Sequence, residues 1–267
     1  MRRFFVPPEL SRGEVFELPE REARHATQVL RLDAGDELTV LDGAGGVMDC
    51  LVEAATKRAL RVAVQNRQQR APLPCPITLI QAIPKGPAFE TIVQKATELG
   101  AARIIPLLSE RVVVQINERD AAAKVEKWNQ IAIESIKQCG SPRLPVIESP
   151  VVFGKLIQRF DHPLPIGWGE GRGEGLLPAG DFAVVCSLEN HSRTLREVLA
   201  EFYAAKQHRP QSAVVWIGPE GDFTPAEYAA IQKLGTAPIT LGPLVLRADT
   251  AAIATLSVLN YELQHAV

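Results

Sequence analysis

The 267-residue sequence lacks most of the short patterns that indicate a known chemistry. It has no glycine-rich dinucleotide or phosphate-loop fingerprint, no HExxH metal pattern and no GxSxG nucleophile turn. The four cysteines and five histidines are scattered, and no two cysteines form a CxxC pair. We therefore expect no metal site and no disulfide framework, and we expect reduced cysteines in a cytoplasmic protein.

Long apolar runs and an excess of charge of one sign are also missing. Mean hydropathy is +0.02, and no run approaches the ~18 apolar residues of a membrane-spanning helix, so we expect no membrane contact. The two arginines after Met1 precede no sustained apolar stretch, so we expect no secretory signal. A formal net charge of −2 excludes a general nucleic-acid binder, which would be strongly basic.

Arginine is nevertheless favoured over lysine near the start of the chain. Residues 1–72 contain eleven basic side chains, ten of them arginine, balanced by eleven acidic ones. Arginine grips phosphate with two hydrogen bonds and stacks on bases, so a local RNA-binding patch is one interpretation. An ordinary surface of mixed charge has the same composition and is the other.

A proline-rich connector divides the sequence. Three prolines within five residues make a stiff, extended stretch after Ala71. Before it, strand-like segments at 37–41 and 60–64 are separated by turn dipeptides, and one helix is predicted over 20–30. We therefore predict a small β-rich domain at 1–71 and a second domain at 75–267.

In the second domain, strand-like apolar runs alternate with amphipathic helical runs. This alternation is typical of an α/β fold with a parallel sheet covered on both faces. A glycine- and proline-rich stretch at 161–180 is predicted to be irregular. The predicted strands are 77–80, 104–108, 183–188, 214–217 and 239–241. The predicted helices are 87–99, 120–138, 194–205, one that begins at Pro225, and 250–264.

Two strand–loop–helix junctions stand out. The first loop, residues 218–223, has a Gly-Pro-Glu-Gly core whose glycines allow the backbone to approach a ligand closely. The next helix starts with Thr224 at the N-cap, Pro225 at the first helical position and Glu227 completing a capping box. The loop is therefore predicted to be well defined and to lie at the carboxyl end of a buried strand.

The second loop, residues 241–247, turns at Gly-Pro and enters a helix whose cap is predicted near Asp249 or Thr250. Its apolar run at 244–246 is unusual for a loop. These side chains either pack against the protein or line a pocket for a flat ring such as adenine. Ligands of open α/β sheets bind at the carboxyl ends of strands, so two adjacent loops of this kind indicate a site.

The two junctions resemble the signature loops of the small-subunit ribosomal RNA (uracil-N3)-methyltransferase family, the RsmE type of the SPOUT superfamily. The matching residues in the loops are 217–221, 241–243, 246–247 and 249–251. Further matches in family order are 2–5, His25, 29–32, 35–36, 42–43, Lys85, 95–100, 106–107, 110–111 and Gln138. These matches run along nearly the whole chain, and their order and spacing make the resemblance specific.

The resemblance implies a fold and a function. The fold would be a PUA-like, RNA-holding domain at 1–71 followed by a SPOUT α/β domain with a parallel sheet and a C-terminal trefoil knot. The cofactor would be S-adenosyl-L-methionine, and the substrate a uridine in 16S rRNA of the small ribosomal subunit, methylated at N3. The enzyme would be a cytoplasmic homodimer. The apolar final helix, with Ile253, Leu256 and Tyr261, is a candidate for the dimer contact, although packing within one chain produces the same pattern.

The resemblance and the loop chemistry together nominate site residues. Glu220 either acts in catalysis and cofactor binding or anchors its loop by accepting backbone hydrogen bonds. Arg247 either stabilises an anionic uracil during transfer or pairs with Asp249 at the helix start. The expected cofactor contacts are Leu188, Ile217, Gly218, Pro219, Glu220, Gly221, Leu241, Gly242 and Leu246. The expected RNA contacts are Arg2, Arg3, Arg24, Arg31, Lys85 and Arg111.

The sequence also departs from the family pattern. Asp222 replaces a usual glycine, Leu244 a usual arginine and Lys137 a usual glutamate, while Ser141-Pro142 displaces Arg143. Two alternatives therefore stay open. One is another SPOUT RNA methyltransferase, acting on ribose 2′-oxygen or on transfer RNA. The other is a catalytically inactive, RNA-binding ribosome assembly factor.

Overall fold

The structure, a computed structural model, describes residues 2–113, 116–161, 181–188 and 192–264. Contacts divide the chain into two compact units. The first consists of Met1–Pro72 with Gln130–Leu144, and the second of Leu73–Asn129 with Pro145–Val267. The predicted boundary at the proline connector placed residues 130–144 in the second domain. In the structure, Gln130–Leu144 belongs to the first unit. Beyond Asp161, the predicted irregular stretch lies outside the described residues.

The first unit is built on a five-stranded sheet. Its strands are β1 (Arg3–Phe5), β2 (Val15–Glu17), β3 (Glu37–Leu41), β4 (Gly46–Ala55) and β5 (Leu60–Gln69). They are ordered β1-β3-β4-β5-β2, and every neighbouring pair is antiparallel except β1 and β3. Alternate residues of β4, such as Met48, Cys50 and Val52, are buried, which gives the sheet one apolar face.

The predicted helix of the first unit has two parts. Helix α1 (Glu20–Arg24) continues directly into a π-helical turn, His25–Val29. The turn closes at Arg31, which has a positive φ of 55°. Such a conformation is uncommon for a residue with a side chain, so Arg31 lies in a backbone geometry that glycine usually occupies.

The second unit alternates strands and helices, as predicted. Its strands are β6 (Ile77–Ala82), β7 (Ala101–Leu108), β8 (Val146–Ile147), β9 (Val151–Val152), β10 (Phe182–Cys186), β11 (Arg193–Thr194), β12 (Ala213–Ile217) and β13 (Ala237–Thr240). The helices that follow α1 are α2 (Ala88–Glu98), α3 (Glu118–Cys139), α4 (Phe153–Asp161), α5 (Leu195–Lys206), α6 (Pro225–Lys233) and α7 (Ala248–Leu263). Helix α4 was not predicted from the sequence.

The strands of the second unit form one parallel sheet. Their order is β11-β13-β10-β12-β6-β7-β8, and β9 also pairs with β7. Every pairing in this sheet is parallel, which confirms the predicted parallel α/β sheet. The central strands are almost continuously apolar and buried, as a sheet covered on both faces requires. None of the described helices has the length and apolar character that crossing a bilayer demands.

The carboxyl-terminal part of α3 carries the lysine that departs from the family pattern. Lys137 Nζ lies 3.0 Å from Glu22 Oε1, and both side chains are almost fully buried. A buried lysine is costly unless it is paired, and Glu22 supplies the opposite charge within the first unit. Arg3 covers the end of the same helix by donating to the carbonyl oxygens of Lys137 and Gln138 at 3.1 and 2.8 Å.

One predicted helix cap is wrong. Helix α7 begins at Ala248 with Arg247 at the N-cap, two residues before the predicted start, and the Arg247 side chain makes no capping bond. The Asp249 carboxylate lies inside the first turn, where it accepts a hydrogen bond from the Thr250 N–H at 2.8 Å. A short polar side chain bonds to the nearest free N–H, and this competing local bond is why the sequence pattern misplaced the cap.

Candidate active site

Three neighbouring strands of the second unit end at one cleft. The cleft is formed by the segments after β10, β12 and β13 and by the start of α7. Such a position, at the carboxyl ends of parallel strands, is where α/β sheets bind ligands. All the predicted cofactor contacts except Gly221 line it. The lining residues are Cys186, Ser187, Leu188, Ile217, Gly218, Pro219, Glu220, Asp222, Thr240, Leu241, Gly242, Leu244, Val245, Leu246, Ala248 and Ala251.

The first loop, residues 218–223, is held by bonds within itself. The Asp222 N–H donates to the Pro219 carbonyl at 2.9 Å, and Asp222 Oδ1 accepts from the Phe223 N–H at 2.8 Å. Asp222 has a positive φ of 59°, so the turn keeps a left-handed residue where the family usually has glycine. A Cβ atom at Gly218 would lie 2.9 Å from Asp222 Oδ1, so a larger residue there would require the Asp222 side chain to shift.

The helix after this loop starts as predicted. Thr224 is the N-cap of α6, Pro225 follows it, and the reciprocal bonds with Glu227 form a capping box. The Glu227 side chain is almost completely buried, and its second oxygen accepts the Glu110 N–H at 2.9 Å. This buried carboxylate therefore joins α6 to the segment that follows β7.

Two residues expected to contact RNA lie against the first loop. The Lys85 N–H donates to Glu220 Oε1 at 2.9 Å, and Arg111 Nη1 donates to the Gly221 carbonyl at 2.5 Å. The hydrogen bond of Glu220 supports loop anchoring, one of the two roles considered for this residue. Gly221, whose carbonyl accepts the Arg111 hydrogen bond, does not line the cleft.

The second loop is more open. Gly242 has a φ of 119°, a conformation that side-chain-bearing residues rarely adopt, and its N–H bonds the Thr240 hydroxyl at 3.2 Å. Leu244 and Val245 are 75% and 77% exposed. These residues line the cleft and stay largely uncovered, so they do not pack against the chain's own core.

Arg247 is exposed and lies in the chain between two residues that line the cleft, Leu246 and Ala248. No ion pair joins Arg247 to Asp249 in the described parts of the chain, since the Asp249 carboxylate bonds Thr250 instead. The predicted helix-start salt bridge is therefore not formed. A guanidinium at this helix N-terminus adds to the positive end of the helix dipole.

Sequence reasoning missed several residues of the cleft, among them Cys186. Its thiol lies 3.3 Å from the Thr255 hydroxyl, and the Tyr228 hydroxyl donates to its backbone carbonyl at 2.9 Å. Burial raises the pKa of the Cys186 thiol to about 12, so it stays protonated at neutral pH and is no base or nucleophile. The rule that ligands bind at strand ends, applied to β10, would have found this residue. The other missed residues are Ser187, Asp222, Thr240, Ala248 and Ala251, whereas Leu244 and Val245 belong to the apolar run for which a pocket-lining role was considered.

Basic side chains of the first unit have protein partners. Arg2 pairs with Asp36 at 2.8 Å and Arg24 with Glu20 at 2.5 Å, both at exposed positions. The Asp36 pKa is lowered by the backbone hydrogen bond from Asp33 and then by Arg2. Exposed pairs of this kind are weak and exchange readily, so they leave the guanidinium groups accessible to phosphate.

Arg31 borders a second, shallow pocket on the first unit, together with the side chains around the π-helical turn. Lys57 lines the same pocket, and its carbonyl accepts from Gln28 Nε2 at 3.2 Å. Throughout the described ranges, no three His, Cys, Asp or Glu side chains are grouped as metal ligands would be.

Comparison with known proteins decides the family. A family model described as an RNA methyltransferase domain matches residues 71–260, and one described as an RNA methyltransferase PUA domain matches residues 18–65. The ribosomal RNA small subunit methyltransferase E of Synechocystis sp. is 30% identical over 262 residues, 97% of this chain and 77% of that protein. The chain belongs to the ribosomal RNA small subunit methyltransferase E family.

Other known proteins show the same extent of likeness. The Bacillus subtilis protein of that name is 28% identical over 98% of this chain and 97% of its own length. The Neisseria gonorrhoeae protein, solved bound to S-adenosyl methionine, is 26% identical with a TM-score of 0.80 and covers 98% of both chains. A Legionella pneumophila methyltransferase solved with bound SAM is 30% identical, with a TM-score of 0.79 over 97% of both chains.

Proposed function

We propose that this chain methylates N3 of a uridine in 16S rRNA of the small ribosomal subunit, with S-adenosyl-L-methionine as the methyl donor. The observation that carries the proposal is the cleft where β10, β12 and β13 end, because it gathers the family's two signature loops. Relatives in the same family have been solved with this cofactor bound. A ribosomal substrate implies that the enzyme works in the cytoplasm.

The cleft fits the proposed cofactor. S-adenosylmethionine supplies an electrophilic methyl group on a sulfonium sulfur. Apolar side chains from all three strand ends, Leu188, Ile217 and Leu241, would hold the adenine ring. Backbone groups of the two glycine-bearing loops would bind its polar edges, because glycine lets the main chain approach a ligand closely.

Arg247 is the proposed catalytic residue. Uracil N3 carries a proton that must leave before or during transfer, and the base then holds negative charge spread over its ring. A guanidinium at the start of α7 stabilises that charge, and the positive end of the helix dipole adds to it. Glu220 acts through its loop, since its carboxylate is already bonded to the Lys85 N–H.

The proposed RNA contacts are basic side chains of the first unit that were named from the sequence. Arg2, Arg24 and Arg31 are exposed or half-exposed on the first unit, whereas Arg3 is engaged by the end of α3. Contacts with phosphate release counterions, so each lost contact lowers the salt dependence of RNA binding by roughly one unit of slope. Unchanged salt slopes in an Arg2→Ala/Arg31→Ala double variant would count against these contacts.

The chain is proposed to act as a homodimer with a knotted second unit. Exposed Leu244 and Val245 beside the cleft form an apolar surface that a second copy would cover. Of the residues of α7 named from the sequence, Leu256 is buried within its own unit and cannot serve the contact, while Tyr261 is 72% exposed.

Helix α7 contacts the beginning of the second unit. Near the end of this helix, the Gln264 side chain bonds both the N–H and the carbonyl of Cys75, at 3.2 and 2.6 Å. Asn260 donates to the Leu99 carbonyl at 2.9 Å. The final helix therefore contacts the segments that border β6 and α2, the first strand and the first helix of its unit.

A methyl-transfer assay tests the function. Purified protein is incubated with labelled S-adenosylmethionine and unmethylated small subunits, and the RNA is then reverse-transcribed. We expect one strong stop at a uridine, because N3-methylation blocks the pairing edge. Label without a stop would assign the reaction to a ribose oxygen or a non-pairing position instead. Bound RNA without label would identify an inactive assembly factor, and Arg247→Ala serves as the matched negative control.

A further inference from the structure

Two connections of the second unit reach the first loop. The connection after β6 supplies the Lys85 N–H to Glu220, and the connection after β7 supplies the Arg111 guanidinium to the Gly221 carbonyl. Pro219 and Glu220 line the cleft, whereas Gly221 does not. The two contacts therefore hold the segment 219–221 at its carboxyl-terminal end.

We propose that Arg111 is a positioning residue of the methyl-donor site and not a contact for RNA. This inference rests on the proposed function and assigns a role to a residue that the sequence placed among the RNA contacts. By binding the Gly221 carbonyl, the Arg111 guanidinium fixes the peptide that ends the Gly-Pro-Glu-Gly core. The cleft-lining residues Pro219 and Glu220 thereby stay in place before any cofactor arrives.

Glycine explains why this external contact is needed. A glycine samples more backbone conformations than any other residue, so Gly221 is the point at which the loop is easiest to distort. Arg111 lies directly beside this glycine: a Cβ atom at Gly221 would be in ordinary van der Waals contact with Arg111 Cδ at 3.5 Å and with Arg111 Cβ at 3.8 Å. The arginine stem therefore packs beside the glycine while its guanidinium binds the carbonyl.

The backbone from which Arg111 extends is itself held. The preceding residue, Glu110, donates its N–H to the buried Glu227 carboxylate at 2.9 Å. The same carboxylate accepts the Thr224 N–H at 2.9 Å, just after the loop. The Glu227 carboxylate therefore bonds both the residue after the first loop and the residue before Arg111. These bonds fix the backbone from which the Arg111 side chain extends to Gly221.

The test separates cofactor binding from RNA binding. Arg111→Met keeps the stem and removes the donor, and Arg111→Lys keeps a charged donor. Calorimetry with S-adenosylmethionine alone gives the cofactor dissociation constant, and filter binding with a 16S rRNA fragment, without cofactor, gives RNA affinity. An exposed arginine of α3, changed in Arg119→Met, controls for loss of one positive charge.

We expect Arg111→Met to weaken cofactor binding about five- to tenfold, the effect of losing one charge-assisted hydrogen bond at a partly exposed site. Arg111→Lys recovers part of this loss, and Arg119→Met shows none. RNA affinity changes no more in Arg111→Met than in Arg119→Met. The melting temperature of each variant stays within about 2 °C of wild type, because the contact lies at the surface.

The opposite pattern of cofactor and RNA affinities would overturn the inference. Unchanged cofactor affinity in Arg111→Met, with RNA affinity reduced beyond the Arg119→Met control, would make Arg111 an RNA contact. Equal cofactor affinity in all variants, with no change in RNA affinity, would also refute the proposed positioning role of Arg111. A wild-type protein that binds no S-adenosylmethionine would instead refute the proposed function, and the two failures are therefore distinguishable.

Discussion

The two loops at the cleft differ in how they are held. The loop at 218–223 is fixed by hydrogen bonds within itself and from the connections after β6 and β7. The loop at 241–247 has few such bonds, and its residues Leu244 and Val245 are more than 70% exposed. One side of the cleft is thus ordered by polar contacts, while the other presents apolar surface that no described residue covers.

The difference indicates that the two loops have different roles. A loop with satisfied polar groups keeps its shape without a ligand, which reduces the entropy lost on binding. An apolar loop gains most when a ring or a second protein surface covers it. We therefore expect changes in the first loop to act on cofactor affinity, changes at Leu244 and Val245 of the second to act on association, and a change at Arg247 to act on catalysis.

The largest effect is expected at the end of the second loop. Arg247→Ala should lower turnover about 100-fold or more, because the anionic uracil loses its stabilising cation. Cofactor affinity should change less than about twofold, since Arg247 does not line the cleft. Single-turnover kinetics and calorimetry measure the two quantities. Full turnover in the variant would remove Arg247 from the mechanism.

Two alanine substitutions compare the loops directly. Gly218→Ala should weaken cofactor binding at least about tenfold, because its Cβ would crowd Asp222 Oδ1 at 2.9 Å. Adding Asp222→Gly removes the crowding atom and should restore most of the affinity. A Cβ atom at Gly242 would meet no atom within 4 Å, but Gly242 has a φ of 119°. We therefore expect Gly242→Ala to weaken cofactor binding through backbone strain.

Titration with S-adenosylmethionine measures each variant of this set. Asp222→Gly alone is the control and should bind nearly as wild type does, because glycine accepts the positive φ of Asp222 readily. If Asp222→Gly failed to rescue Gly218→Ala, the crowding account of the first loop would be wrong.

Apolar exposure in the second loop predicts its role in association. Leu244→Ser with Val245→Ser should raise the dimer dissociation constant about tenfold or more, since both side chains lose burial against the partner. Light scattering over a concentration series measures this constant. Leu10→Ser with Val15→Ser, which alters two exposed apolar residues of the first unit, is the control. Equal masses for both double variants would exclude this surface as the interface.

The smallest effect concerns Cys186, between the two loops. Burial raises its pKa to about 12 from an ordinary value of 9, so the unfolded chain loses this proton before the folded chain does. Stability is therefore complete below pH 9 and falls as pH rises from 9 towards 12, by about 1 kcal/mol near pH 10 for this group. Urea unfolding at pH 8 and pH 10 should show a smaller decrease in Cys186→Ala than in wild type.

Segments with strong periodicity were predictable from sequence because their burial repeats locally. Helix α2 and strands β6 and β12 lie within a few residues of their predicted bounds. The short strands β8, β9 and β11 were not predicted, because two residues carry no detectable period. Helix α4 was missed although Phe153, Leu156, Ile157 and Phe160 have the spacing of one helical face, because the segment has only nine residues and begins with Phe-Gly, without a cap signal.

The loops of the site were readable because glycine, proline and capping residues act on their immediate neighbours. The sequence by itself determined the alternation of elements, the capping box at Thr224 and the two glycine-bearing junctions. Only the tertiary structure brought Leu188, Ile217 and Leu241 to one cleft, since that depends on the order β13-β10-β12 in the sheet. The contact of Arg111 with the first loop has the same origin. Strand order and contacts across about 110 residues are set by packing of the whole unit, which no local pattern encodes.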